Sequence, residues 1–470
     1  MLKSPYQLNP DSFANRVINR NGRMGADACQ IMAAAINAVN PYQCVNDSVN
    51  YTGKTVKIGD EVLELSQFDR VIVLGFGKAS VPMAKALIDI LGEKISIARV
   101  ITKSSQFLID DGYQNKLNVY LGDHPVPSQK SIDATRLMLT GLTDLRESDL
   151  VFVVVSGGGS ALFTDPYEGI SLEALQELTT LLLRSGAGIH EINILRKHLD
   201  RVKGGRLAAR LLPATICSLI LSDVVGDPLD LIASGPTVPD TSTYQDALAI
   251  LAKYHLETRI PDSINDVLQA GRDGKIDETV KPVALKGQRI INQLVGTNLK
   301  AASAAKERAE TLGYHTRIVS TELRGLTEGV ALSIEEEIHK VIAQTQPFNQ
   351  PYCLIYGGET TVRVVGDGKG GRNQDLVLRM TPKIADLPGL LFISLATDGE
   401  DGPTDAAGAA TDAHVFREGA GMLGLSIDTY IDTNNSYGYL NEVGGLIKIG
   451  STGTNVNDLV IILIENAIHH

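Results

Sequence analysis

Short apolar runs bounded by Gly, Pro, Asp and Ser alternate with segments of helical period along almost the whole chain. Such alternation leaves little freedom. A strand followed by a helix before the next strand gives βαβ units, so the chain is expected to be α/β with a mostly parallel sheet. In the first half the pattern predicts strands at 70–75, 96–102, 118–121, 150–155 and 216–221, and helices at 79–91, 131–142, 172–184 and 192–212. The run Val151 to Val155 is apolar at every position, which suits a strand covered on both faces.

At 470 residues the chain exceeds what one core usually serves. A more polar stretch at 259–286, with Pro261, Gly271, Gly274 and Pro282 among many charges, is the expected boundary. Beyond it the pattern resumes, with strands at 292–296, 316–319, 351–356, 361–365, 390–396 and 460–464 and helices at 299–312, 326–344 and 373–382. Gly357-Gly358 between two apolar runs reads as a hairpin, which would make the second sheet mixed. The expectation is thus a Rossmann-like N-terminal domain at 1–270, with helices flanking a mostly parallel sheet, and a C-terminal α/β domain with a mixed sheet at 285–470.

The net charge of −12, from 43 basic and 55 acidic side chains, offers no basic surface to nucleic acid or to an anionic membrane. No run of about 18 apolar residues is present to span a bilayer, and residues 1–15 lack the apolar core of a signal peptide. Four scattered cysteines, Cys29, Cys44, Cys217 and Cys353, form no C-x-x-C pair, and a reducing, cytoplasmic setting is expected. The sequence permits a homodimer without requiring one.

Three glycine-rich segments fall at predicted strand ends, where open α/β sheets bind ligands. In the first, Gly75-Phe76-Gly77-Lys78-Ala79-Ser80, backbone N–H groups and Lys78 would face an anion at a helix start. As a dinucleotide fingerprint it lacks the third glycine, although Lys103 could meet a 2′-phosphate, so a nicotinamide cofactor stays open. The second, Ser156-Gly157-Gly158-Gly159-Ser160, would let backbone approach phosphate closely. It does not complete a G-x-S-x-G elbow, and no Walker A loop occurs, so a phosphotransferase built from these parts is not a P-loop enzyme. The third, 366–374, is expected to be a mobile loop delivering Arg372, whose guanidinium would stabilise charge on a transferring phosphoryl group.

Between residues 184 and 206 stand Arg184, Arg196, Lys197, Arg201, Lys203 and Arg206 against Glu191 and Asp200, a local anion site in an acidic chain. On a helix, Lys197 and Arg201 share a face with Asn193. Carboxylates gather at two more strand ends, around Asp223 and Asp227 and around Asp398, Glu400, Asp401 and Asp405, on short glycine-punctuated loops that suit Mg²⁺. These parts read as phosphoryl transfer across an interdomain cleft.

The ordered motifs also resemble the glycerate kinases whose C-terminal half is called the MOFRL domain, a group also labelled hydroxypyruvate reductase. The residues carrying the resemblance are Gly75-Phe-Gly-Lys-Ala79, Gly122-Asp-His-Pro-Val-Pro127, 156–160, Arg196-Lys-His-Leu199, Val202-Lys-Gly-Gly-Arg-Leu207, Ser222-Asp-Val-Val-Gly-Asp227, Ser234-Gly-Pro236, Gly357-Gly-Glu-Thr360, Gly371-Arg-Asn-Gln374, 398–408 and Thr452-Gly-Thr-Asn-Val-Asn457. Ser128 and Ser451 depart from the family pattern beside two of these motifs. The resemblance implies phosphorylation of D-glycerate by ATP with Mg²⁺, 2-phosphoglycerate as product, and a catalytic lysine and arginine falling on Lys78 and Arg372. Gly77, 156–160 (Ser156, Gly157, Gly158, Gly159, Ser160) and Lys197 are the expected nucleotide and phosphate contacts. From position, Asp223 is assigned as general base, with Asp223, Asp398 and Asp401 as metal candidates and His124 and His198 as alternative bases. An NAD(P)H-dependent hydroxypyruvate reductase and a noncatalytic small-anion sensor remain the competing readings. Methionine at Lys78 or Arg372 is expected to abolish turnover without changing the melting temperature.

Overall fold

The computed structural model describes residues 7–103, 112–113, 115–345, 349–424 and 426–465. The chain groups in space into two units that are not contiguous in sequence: Pro41–Ser222 with Asp227–Val295, and Met1–Asn40 with Asp223–Gly226 and Gly296–His470. The linear division expected at 270–285 therefore differs from the spatial one. It also misplaces the polar stretch at 259–286, which belongs with the first of these units.

That unit opens with a small antiparallel sheet, β1 (Val49–Tyr51), β2 (Thr55–Ile58) and β3 (Glu61–Glu64). Its main sheet has six strands, β4 (Arg70–Phe76), β5 (Ile95–Thr102), β6 (Asn118–Leu121), β7 (Asp149–Val155), β8 (Thr215–Leu221) and β9 (Ile290–Gly296), in the order β6-β5-β4-β7-β8-β9. The pairings from β6 across to β8 are all parallel. β7 and β8 are buried at every position, as suits strands that are apolar apart from Asp149, Thr215 and Ser218. The chain leaves β4 toward β5 and β6, then returns to the other side for β7 and β8. The carboxyl ends of β4 and β7 therefore flank the topological switch point, where such sheets hold ligands.

Two expectations fail here for identifiable reasons. The helix predicted at 192–212 is two helices, Ile189–His198 and Arg206–Leu211, because Gly204 and Gly205 at positive φ break the run. The stretch at 259–286 is no linker. Helix Asp262–Arg272 buries Ile264, Val267 and Leu268 in one core with helices Leu172–Arg184, Ile189–His198 and Tyr244–Lys253, an i, i+3, i+4 stripe hidden among charges.

The other unit carries β10 (His315–Leu326), β11 (Tyr352–Thr361), β12 (Leu390–Ala396), β13 (Gly408–Asp412), β14 (Leu446–Ile447) and β15 (Asp458–Ile464), in the order β10-β11-β15-β12-β13-β14. The sheet is mixed as expected: β10 and β11 are parallel, and the remaining pairs are antiparallel. The predicted cause was wrong, since Gly357 and Gly358 make no hairpin and lie inside the continuous strand β11. A Cβ on Gly357 would stand 1.6 Å from Asn298 Oδ1, so the glycine serves close packing instead of a turn. The strand at 292–296, assigned to this half from sequence, is β9 of the other sheet.

Helix Gly22–Ala38, not foreseen from sequence, packs on helix Asn298–Thr311 of this unit. Arg20 fixes the N-terminal segment there, with Nε and Nη2 on Asp412 at 2.6 and 2.5 Å and Nη1 on Glu418 Oε2 at 2.7 Å.

Candidate active site

At the switch point the loops after β4 and β7 are joined directly. Ala79 N donates to Ser156 Oγ at 3.0 Å and Lys78 N to Gly157 O at 2.9 Å. Gly77 has φ +121°, and a Cβ there would meet Ser156 Oγ at 2.3 Å, so no other residue allows the two loops to close. Behind them Phe76 and Phe163 stack with ring centroids 4.2 Å apart.

Side chains around this junction are conspicuously unpaired. The ammonium of Lys78, which is partly buried, and that of exposed Lys103 at the end of β5 have no hydrogen bond or ion pair to any described residue. The His124 ring stands over Gly158, where a Cβ would lie 2.8 Å from its Cδ2. Burial first, then the charges of Lys78 and Lys103, push the His124 pKa down to about 4. A neutral imidazole thus sits beside two cations that pair with no carboxylate among the described residues. Ser160, at the far end of the loop, meets Ser234 Oγ at 2.9 Å, and Ser234 donates to Asn193 Oδ1 at 3.2 Å.

Other assignments from sequence need correction. Lys197 is buried with Nζ 3.2 Å from both Asp230 Oδ2 and Asp240 Oδ1, so two carboxylates already claim its charge. Arg201 does not join it, binding Asp165 Oδ1 at 2.9 Å. His198 is a buried core residue held between Ile194 O at 2.8 Å and Glu278 Oε2 at 3.2 Å, which makes a base role untenable.

In the other unit Arg372 opens helix Arg372–Lys383. It binds Asp458 in a fork, Nε to Oδ2 at 2.6 Å and Nη2 to Oδ1 at 3.0 Å, while Nη1 reaches Glu359 Oε1 at 2.6 Å. Burial opposes the charge on Arg372, yet Asp458 and Glu359 more than offset it and its pKa is raised. Asn457 extends the network, donating to Glu359 Oε2 at 3.0 Å and to the Asp223 carbonyl at 2.7 Å. Arg324 Nη2 donates to Val225 O at 2.6 Å, so segment Asp223–Gly226 is pinned at both ends.

The loop before Arg372 is not the free flap expected from its glycines. Asn434 Oδ1 accepts from Val365 N and Gly366 N at 2.7 and 2.9 Å, and Thr433 O accepts from Gly368 N at 2.9 Å.

Asp401 does not fit as a metal ligand. Its two oxygens accept from Asn373 N, Asn373 Nδ2, Gln374 N and Gln374 Nε2 at 2.9–3.3 Å, capping the helix that carries Arg372. Among the described residues no group of three or more His, Cys, Asp or Glu could hold a metal ion. Asp223 and Asp398 remain partly exposed at this end of the sheet. Glu359 and Asn457 were singled out only as members of longer motifs, and Asp458 was not singled out at all. Their register, with Gly358 and Ala396 both opposite Asp458, is what brings them together.

Two family models match the chain: a domain of unknown function, DUF4147, over residues 27–269, and the MOFRL family over 352–458. A glycerate 2-kinase of Pyrococcus horikoshii is 40% identical over 93% of this chain and 96% of its own length. A D-glycerate 2-kinase of Thermotoga maritima is also 40% identical, over 93% and 97%. The chain belongs to the glycerate kinase family.

A crystal structure of a family member, the T. maritima glycerate kinase, superposes with a TM-score of 0.81 at 39% identity, covering 93% of this chain and 98% of that one. Rat glycerate kinase, at 34% identity over 94% of this chain and 93% of its own length, extends the family to mammals.

Proposed function

We propose that the protein phosphorylates D-glycerate at the 2-hydroxyl, taking the phosphoryl group from ATP with Mg²⁺. The observation that carries this reading is the Lys78 ammonium, unpaired among the described residues, beside neutral His124 at the junction of two glycine loops. The site presents positive charge and backbone N–H groups, and no described carboxylate pairs with its lysines. It suits a polyphosphate, with Gly77, Ser156, Gly157, Gly158, Gly159 and Ser160 as the nucleotide and phosphate contacts.

In the reaction the 2-hydroxyl oxygen bonds to the γ-phosphorus as the bond from that phosphorus to the bridging oxygen breaks. ADP leaves with the electron pair, and the hydroxyl proton goes to a base, for which we assign Asp223. Lys78 supplies fixed charge to the phosphates. Arg372, oriented by Asp458 and Glu359, stabilises the phosphoryl oxygens in transit without reorganising. Mg²⁺ typically takes one or two carboxylates together with substrate phosphates; Asp223 and Asp398 would hold it, and it would neutralise phosphate charge when bound.

The reductase alternative is not favoured, since the relatives carry kinase names. No described helix is long and apolar enough to cross a membrane, and all four cysteines are free thiols. We place the protein in the cytoplasm on that basis.

A coupled assay with D-glycerate, ATP and Mg²⁺, run beside nicotinamide oxidation with hydroxypyruvate, tests the reading. ADP and 2-phosphoglycerate are expected. Nicotinamide oxidation without ADP formation would overturn it.

A further inference from the structure

Of the six cations crowded between residues 184 and 206, three are neutralised by carboxylates within their own unit. Lys197 has Asp230 and Asp240, Arg201 has Asp165, and Lys203 has Asp200 at 3.0 Å together with Phe163 O at 2.8 Å. Arg206 donates to the carbonyls of Lys197 and Asp277 at 2.8 and 3.1 Å. Arg184 is exposed at a helix end.

Arg196 is different. It is partly buried in the last turn of helix Ile189–His198, yet it has no hydrogen bond or ion pair to any described residue. Burial lowers its pKa with no described acid opposing it, and its charge in turn lowers the pKa of buried Lys203, where burial is the larger cause. A place near its helix C-terminus favours a cation but leaves the guanidinium donors unanswered. An unpaired, partly desolvated charge next to another cation persists at a cost to stability, which an arriving anion would relieve.

Position identifies the anion. Asn193 lies one turn before Arg196 on the same helix face, and it reaches Ser234, which meets Ser160. Arg196 therefore belongs to the Ser160 end of the glycine loop, whereas Lys78, Lys103 and His124 surround the Gly158 end. Lysines are point charges for phosphates, while a planar guanidinium matches a carboxylate in a two-bond fork.

We propose that Arg196 is a substrate-binding residue that receives the carboxylate of the small hydroxy acid acceptor. The inference rests on the kinase reading for the identity of the acid, but not for the chemistry of the contact.

The test is steady-state kinetics of the full chain with Arg196→Lys and Arg196→Met, together with direct calorimetric binding of D-glycerate and of its neutral amide without nucleotide. The expected result is a KM for D-glycerate raised ~10–100-fold in Arg196→Met and less in Arg196→Lys. KM for ATP should stay within about twofold, and the melting temperature should be unchanged or higher, because removing an unpaired charge relieves the fold. Calorimetry should show wild type preferring glycerate over its amide and Arg196→Met losing that preference. A raised KM for ATP alone, an unchanged KM for glycerate, or a lowered melting temperature in both variants would overturn the proposal. If wild type forms no ADP yet binds glycerate through Arg196, the kinase reading falls and this inference stands.

Discussion

Asp458 grips Arg372 through two parallel hydrogen bonds of 2.6 and 3.0 Å, leaving one face of the guanidinium to Glu359. The arginine is thereby held in one orientation before any substrate arrives. Asp458 is almost fully buried, so a variant that removes its partner strands a carboxylate in the interior. Arg372→Met is expected to lose turnover and also to lower stability by about 2–4 kcal/mol, read by denaturant titration. This revises the sequence-based expectation of unchanged melting, which held the arginine to be on a free loop. Full stability in Arg372→Met would mean that the fork contributes nothing to the fold.

Lys78 should behave in the opposite way. Its ammonium has no partner among the described residues to strand, so Lys78→Met is expected to leave the melting temperature within a degree or so while kcat falls by roughly 10²–10³. A variant that melts early, or turns over normally, would remove Lys78 from the site.

His124 supplies a pH signature. The unfolded chain binds a proton on this ring near pH 6.5, but the folded chain does so only near pH 4. As pH falls from 6.5 toward 4 the unfolded state takes up the proton first, so stability declines across that window and levels off below it. His124→Asn should flatten the decline by up to about 3 kcal/mol. NMR of the imidazole should find it neutral at pH 5.5, and a titration midpoint near 6.5 would contradict the geometry.

Gly158 has φ +79°, and a Cβ there would press on His124. Gly158→Ala is expected to cost about 1–3 kcal/mol and to lower kcat/KM for both substrates. Unchanged kinetics would show that the ring can move aside freely.

How much of this was legible in the sequence follows from the range of the interactions involved. The buried strands β7 and β8 declare themselves through largely apolar runs, and the loops after β4 and β7 through glycines that have no other use. The stripe of Ile264, Val267 and Leu268 was hidden because charges outnumber it in a linear window, although burial picks it out at once. Gly357 misled because a glycine pair signals a turn as readily as close packing, and only the neighbouring Asn298 decides between them. Asp401 resembled a metal ligand because acidic side chains on glycine-rich loops serve helix caps and cations alike. Glu359, Asn457 and Asp458 form a network through strand register, which no local pattern encodes. Arg196 was visible as one of six cations, but it stands out only when the partners of the others are known.

The discontinuous grouping of the chain bears on how the molecule is made. The first 40 residues leave the ribosome early, but the sheet and the helix Asn298–Thr311 that receive helix Gly22–Ala38 are synthesised last. During that delay its apolar face, with Ile31, Met32 and Ile36, lacks the later-made helix that packs on it in the finished fold. The nascent chain is thus exposed to chaperones or to misassociation until translation is nearly complete. Cutting the gene at residue 285 would carry the same defect into the product, because the C-terminal piece would be born without its N-terminal helix.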